Sequence, residues 1–230
     1  MKNIAVVGAN GKMGSLLCEK LKNTYIVTKI TKEAPLEKIN ISKHKIDLVI
    51  DFASADSSEK SANYCMQYKI PLIIASTGQT ETQLINIKNV SKFIPLIIEP
   101  NLSIGINLLK DIQNYLINKI KTFENYDINI HEKHHKEKKD SPSGTAILLK
   151  NYIQKISNKE IPITSERGGK EVGTHTVNFY FNSELISITH QAFSRDSFID
   201  GTLICIDFLL KQKLPKLYSF SEILNNKNYN

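Results

Sequence analysis

The residues near the amino end constrain this chain most: Val6-Val7-Gly8-Ala9-Asn10-Gly11-Lys12-Met13-Gly14 form a glycine-spaced turn. It lies between an apolar run, Ile4 to Val7, and a stretch in which Met13, Leu16, Leu17 and Leu21 recur at helical spacing. Glycines here let the backbone reverse tightly and approach a pyrophosphate, whose charge is met by unpaired N–H groups and the positive end of the helix. The turn therefore predicts a dinucleotide site on Gly8, Ala9, Asn10, Gly11, Lys12, Met13 and Gly14, with a purely structural turn as the bland alternative.

The strand-then-helix pattern recurs after the turn. Tyr25 to Ile30, Asp47 to Phe52, Pro71 to Ala75 and Pro95 to Ile98 are further strand candidates, separated by helical stretches at Ser57 to Tyr68 and Thr80 to Ile87. Strands that are apolar throughout, rather than alternating, are what a parallel sheet covered on both faces requires. The fold class is thus α/β with a doubly wound parallel sheet.

From Ser103 the pattern changes. Ile104, Leu108, Leu109, Ile112, Leu116 and Ile120 mark one long helix, and Asp127 to Ile130 alternates into a strand that delivers a polar segment, His131 to Asp140. Ser143 to Ile156 reads as helix and Thr164 to Gly173 as loop. His175 to Phe181 and Glu184 to His190 alternate at period two around Asn182-Ser183, an antiparallel hairpin. Phe198 to Lys211 is helical again and is expected to pack on the first domain. The expected organisation is a discontinuous dinucleotide-binding domain, residues 1–103 and 196–230, and a second α+β domain, residues 104–195, with an antiparallel or mixed sheet.

The balance of 30 Lys and Arg against 23 Asp and Glu gives a net charge of +7. That suits an anionic small substrate as well as it suits nucleic acid. Without a basic tail, aromatic-interleaved basic block or helix-turn-helix spacing, no nucleic-acid partner is expected. No run approaches the roughly 20 apolar residues of a membrane span, and Ile4 to Val7 is too short for a signal-peptide core. A cytoplasmic protein with no membrane partner is expected. Cys18, Cys65 and Cys205 are odd in number and far apart, so they read as packing residues.

Two features bear on chemistry. The second strand ends at Thr31-Lys32 without the acidic residue that would hold the ribose 2'-hydroxyl of NAD. Lys32 there would favour the 2'-phosphate of NADP, unless it is a solvated loop residue. The run His131-Glu132-Lys133-His134-His135-Lys136-Glu137-Lys138-Lys139-Asp140-Ser141-Pro142-Ser143-Gly144-Thr145-Ala146 combines imidazoles that exchange protons near neutral pH, a fixed cation, and a helix start suited to a carboxylate. It describes a site for an anion that must also be protonated. The flanking lysines and the lack of an HExxH pattern speak against a metal at His131, His134 and His135, and none is expected.

Glu132 to Ala146 resembles the E-x-H-H-x-x-K-x-D-x-P-S-G-T-A signature of the 4-hydroxy-tetrahydrodipicolinate reductases, also called dihydrodipicolinate reductases, of bacterial lysine and diaminopimelate biosynthesis. Gly8 to Gly14 is similar to that family's glycine loop, Asp47 to Phe52 to its V-x-I-D-F strand, and Ala75 to Gly78 to its G-T-T-G. Pro100 to Asn107 resembles P-N-F-S-x-G-V-N, and Ala192 to Gly201 resembles A-x-S-R-x-x-F-A-x-G. This chain departs from the pattern at Ala75-Ser76, Glu99 and Leu102, and the stretch Lys32 to Ile46 is short for the family.

The resemblance implies a Rossmann-like first domain and an NADPH- or NADH-dependent oxidoreductase that converts 4-hydroxy-tetrahydrodipicolinate to tetrahydrodipicolinate with loss of water. It implies that His134 is the catalytic proton donor and acceptor and Lys138 the second proton donor. His135, Gly144 and Thr145 would bind the carboxylates of the small dicarboxylate substrate. Ala75, Ser76, Thr77, Glu99, Pro100, Asn101 and Leu102 would surround the cofactor with the glycine loop. It also implies a homotetramer formed through the second sheet, and closure of the two domains over the substrate. Another Rossmann dehydrogenase of a small anion, or a non-catalytic nucleotide-sensing relative, are the alternatives.

Overall fold

The computed structural model describes residues 1–39 and 45–225, so part of the short stretch Lys32 to Ile46 and the last residues, 226–230, lie outside the described residues. The chain divides into two compact units, Met1–Leu102 with the segment from Phe198 onward, and Ser103–Ser197.

The first unit holds a sheet of six strands. They are β1 (Asn3–Val7), β2 (Ile26–Ile30), β3 (Leu48–Asp51), β4 (Leu72–Ile74), β5 (Pro95–Ile98) and β10 (Lys216–Tyr218). They pair in the order β10-β5-β4-β3-β1-β2, and every pairing is parallel. Every residue of β1, β3 and β4 is buried, as expected for strands covered on both faces. The intervening helices are α1 (Lys12–Leu21), α2 (Ala55–Tyr68) and α3 (Glu81–Val90). Ser54 caps α2 by accepting from the Ser57 N–H, and Thr80 and Gln83 form a capping box on α3.

Helix α6 (Asp196–Leu209) buries Ile199, Cys205, Ile206 and Leu209, and the chain then adds β10 and α7 (Phe220–Leu224). Neither of these last two elements is expected from the periodicity, because three residues of strand and five of helix are too few to show it. Cys18, Cys65 and Cys205 are buried free thiols.

The second unit has four strands in the order β7-β6-β8-β9. They are β6 (Tyr126–His134), β7 (Ile163–Arg167), β8 (Gly173–Phe181) and β9 (Leu185–Ala192), with α4 (Ile104–Ile120) and α5 (Gly144–Gln154) beside them. β8 pairs antiparallel with both β6 and β9, whereas β7 lies parallel to β6. The structure corrects two expectations. Ile163–Arg167 is a strand where Thr164 to Gly173 reads as loop, and β6 runs on to His134 instead of stopping at Ile130. Both errors share a cause: polar side chains at these strand positions hide a backbone held by its neighbours.

Among the described residues, no helix is long and apolar enough to cross a membrane.

Candidate functional site

In the first unit, Gly8 follows β1 with φ +79, a conformation that side-chain-bearing residues rarely adopt. A side chain at Gly14 would collide with the Gly8 carbonyl, so the turn and α1 touch backbone to backbone. Gly11 is the N-cap of α1 and supplies no side-chain cap, which leaves first-turn N–H groups for an anion.

A cavity of about 740 Å³ opens beside this turn, lined by Gly8, Asn10, Gly11, Thr31, Lys32 and Ala53 among others. It lies at the carboxyl ends of β1, β2 and β3, where the strand order reverses and open α/β sheets bind ligands. The uncapped helix start and the cradle that a side chain would fill fit a dinucleotide pyrophosphate.

Of the residues expected to hold cofactor, Gly8, Asn10, Gly11 and Lys32 line this cavity. Ala9 and Gly14 are buried in the turn, while Lys12 is exposed and Met13 half-buried at the start of α1. Ala75, Ser76 and Thr77 follow β4, and Glu99, Pro100, Asn101 and Leu102 follow β5, at the same edge of the sheet but outside the cavity lining. Ser76 is fixed there by Ser58 Oγ and by Gln79 Nε2 at 2.9 Å. Glu99 Oε1 accepts from the Asn101 N–H at 3.4 Å.

Sequence reasoning passed over Asp51, at the end of β3. Fully buried, it accepts from the Ala53 N–H at 2.8 Å, Ser57 Oγ at 2.9 Å and Ser61 Oγ at 2.6 Å, tying the wall of the cavity to α2. Burial pushes its carboxyl up, against the pull of these donors.

In the second unit the period of β6 builds the site. Alternate residues Tyr126, Ile128, Ile130, Glu132 and His134 are buried on one face. The first three join the core with Leu149 and Ile153 of α5, and the same face then delivers a carboxylate and an imidazole. His131 and Lys133 point the other way, to Glu166 at 3.7 Å and 2.9 Å. The histidines that are neighbours in sequence are therefore separated in space.

Glu132 is completely buried. One oxygen bonds His134 Nδ1, and the other accepts from Arg167 Nη2 at 2.7 Å and the Ser143 N–H at 3.3 Å. Burial alone would raise its carboxyl, but hydrogen bonds from Arg167, Ser165 and His134 bring it down to about 2. For His134 burial dominates and lowers the imidazole below its ordinary value, opposed by Glu132 and assisted by Lys138 and Arg167.

Ser143 is also the N-cap of α5, its Oγ accepting from the Ala146 N–H at 3.2 Å and meeting His175 Nε2 at 3.1 Å. The helix start at Gly144 and Thr145 is thereby held to β8, and through the Ser143 N–H on Glu132 to β6, which carries His134. Space is open beside Gly144, where no atom stands within 4 Å of a would-be side chain. Lys138 donates to both Asp140 oxygens at 2.8 Å. His135 comes just after β6, its N–H donating to the Glu171 carbonyl at 2.7 Å.

Glu132, Arg167 and His175 have no role assigned from sequence. Extending the alternation of β6 one step past Ile130 would have found Glu132. Arg167 carries no local signal, since its partner lies 35 positions away. Glu132, His134 and His175 offer ligand atoms within 4.8 Å of one another. Glu132 is nonetheless committed to hydrogen bonds with His134 and Arg167, and the guanidinium repels a cation. This donor set fits proton transfer better than metal binding.

Two family models match in tandem, "Dihydrodipicolinate reductase, N-terminus" over residues 2–102 and "Dihydrodipicolinate reductase, C-terminus" over residues 105–224. Among relatives, the 4-hydroxy-tetrahydrodipicolinate reductase of Thermosipho africanus is 37% identical, covering 95% of this chain and 96% of its own. That of Rickettsia akari is 34% identical, covering 98% and 97%. A dipicolinate-bound dihydrodipicolinate reductase from Paenisporosarcina sp. TG-14 shares the fold with a TM-score of 0.78 at 22% identity, covering 95% of this chain and 97% of its own. Aspartate dehydrogenase from Thermotoga maritima shares it more loosely, with a TM-score of 0.55 at 14% identity over 93% of this chain and 97% of its own. A glycine turn on a doubly wound sheet, a Glu-x-His strand end docked on a Ser-Gly-Thr helix start, and relatives matched end to end agree: the chain belongs to the dihydrodipicolinate reductase family.

Proposed function

We propose that this protein reduces 4-hydroxy-tetrahydrodipicolinate to tetrahydrodipicolinate, with loss of water, in lysine and diaminopimelate biosynthesis. The observation that carries the reading is the coupling of His134 to the start of α5 through one buried carboxylate, which joins a proton donor to an anion-binding helix end. NADPH or NADH, when bound, supplies the hydride.

Gly8 to Gly14 would hold its pyrophosphate on the α1 amides and Lys32 its 2'-phosphate. Ala75 to Thr77 and Glu99 to Leu102 would flank it along the sheet edge. In the second unit, His134 gives a proton from Nε2, and Lys138, held by Asp140, is the second donor. His135, Gly144 and Thr145 bind the substrate carboxylates, and the surrounding cations suit a dianion. Residues 1–103 with 196–230 serve the dinucleotide and residues 104–195 the substrate.

The protein acts in the cytoplasm as a homotetramer assembled through the four-stranded sheet. Leu185 and Ile186 of its edge strand β9 leave apolar surface exposed, which supports such an assembly. The test is nicotinamide oxidation by the purified protein, with substrate generated in place by the preceding synthase and NADH and NADPH in parallel. Turnover is expected with at least one coenzyme. Its absence despite tight coenzyme binding would overturn the assignment.

A further inference from the structure

We propose that Glu132 is a positioning residue for His134, a buried carboxylate that fixes which imidazole nitrogen exchanges protons and where that nitrogen points, with Arg167 holding Glu132 in turn. The inference rests on the reading of His134 as the proton donor.

An ionised carboxylate can only accept, so the bond from Glu132 to His134 Nδ1 requires that Nδ1 carry the hydrogen. Nε2 is then the nitrogen that gains and loses a proton. When the imidazolium acts as acid the Nε2–H bond breaks, the proton passes to substrate, and a neutral Nδ1–H ring remains bonded to Glu132. Without that partner the neutral ring could adopt the other tautomer, with Nε2 already protonated and unable to accept.

Glu132 itself cannot swing away. Arg167 Nη2 reaches it at 2.7 Å while also donating to the Asp140 carbonyl at 2.7 Å, and Arg167 Nη1 donates to the Glu166 carbonyl at 2.7 Å. The guanidinium thus bridges the carboxylate to the loop that bears Lys138. The Ser143 N–H on the same Glu132 oxygen adds the start of α5. One side chain accordingly sets the mutual position of the imidazole, the lysine loop and the helix end.

The charged and titratable groups facing His134 come from every neighbouring element. They are Glu132 on its own strand, Arg167 on β7, His175 on β8 at 5.1 Å between ring centroids, Lys138 in the following loop and Glu171 before β8. Burial, Lys138 and Arg167 disfavour the imidazolium, and Glu132 is the group that opposes them. Removing its charge should therefore lower the affinity of His134 for protons.

The experiment compares wild type, Glu132→Gln, His134→Gln and the double variant, reading kcat against pH and following the His134 ring nitrogens by 15N NMR. Glu132→Gln is expected to lose roughly 100-fold or more in kcat. Its basic-side decline and its His134 titration midpoint should both move to lower pH, and the substitution should cost nothing further in the His134→Gln background. A pH profile and a titration unchanged by Glu132→Gln would overturn the proposal, as would full additivity. Should Glu132→Gln not fold, the wild-type spectrum decides alone: an Nδ1–H retained throughout the titration supports it, and an Nε2–H neutral tautomer refutes it. Loss of turnover in the wild type itself would sink the proposed function, while the NMR arm would still test the coupling.

Discussion

Gly173 lies so close to His134 that a methyl group placed on it would stand 2.9 Å from Nε2. The two residues meet across the β6–β8 pairing, where the buried face of β8 begins with Gly173 and continues to His175. Gly173→Ala is expected to displace or cover the nitrogen that exchanges protons. Activity should fall by about 100-fold or more, comparable to loss of a general acid, with coenzyme affinity unchanged. Steady-state kinetics beside a coenzyme titration checks this, and wild-type turnover would show that Nε2 is not the working atom.

His134→Gln should remove most of kcat, on the order of 100-fold to 10,000-fold, with the fold intact. Circular dichroism and kcat measured on the same preparation separate chemistry from unfolding. A variant that turned over at the wild-type rate would end the assignment.

Stability should fall in acid in a defined window. Burial first, then the neighbouring His134 and His190, hold His175 down to about 3 from 6.5. Between those values the unfolded chain binds a proton that the folded protein refuses, so stability is complete above about pH 6.5 and declines by roughly 1 kcal/mol per pH unit below it. His134 and His190 are lowered too and act with the same sign. Glu132, held at about 2 against 4.5, adds a loss that starts only below about pH 4.5. Thermal midpoints from pH 8 to pH 4 should bend downward near 6.5, and His175→Gln should flatten the upper part of that slope.

Asp51→Ala would leave the buried Ser61 hydroxyl without its acceptor, while the Ala53 N–H and the Ser57 hydroxyl, which lie at the cavity wall, can turn to water. Unsatisfied buried donors cost about 1 to 3 kcal/mol each, less whatever rearrangement recovers. A destabilisation of about 2 kcal/mol is expected, with weaker coenzyme binding because Ala53 lines the cavity. Urea unfolding and coenzyme titration measure the two effects.

Lys32→Ala should raise KM for NADPH roughly tenfold and leave NADH nearly unchanged, as for loss of one charge-assisted hydrogen bond. Equal effects on both coenzymes would place Lys32 elsewhere than at the 2'-phosphate.

The parallel sheet is legible in the sequence because burial on both faces leaves its central strands apolar along their length, as in Leu48 to Ile50 ahead of Asp51 and in Leu72–Ile74. The site is legible only in part. His134, Lys138 and Gly144 stand within one short segment, so the motif announces them together. Glu132 sits in the same segment, yet its role depends on Arg167, which reaches it through a parallel strand pairing far away in sequence. The strand bearing Arg167 reads Ile-Thr-Ser-Glu-Arg, polar enough to pass for loop. Contacts of that kind are set by the sheet and leave no local periodicity.

The sixth strand of the first sheet, Lys216–Tyr218, comes almost last in the chain. During synthesis, Ser103–Ser197 leaves the ribosome with all of its own strands and helices before β5 can meet its outer neighbour. The edge of β5 therefore stays open for the time taken to translate more than a hundred residues between Ile98 and Lys216. At roughly 5 to 20 residues per second that is several seconds or more, an interval in which a nascent chain can pair its open edge with another.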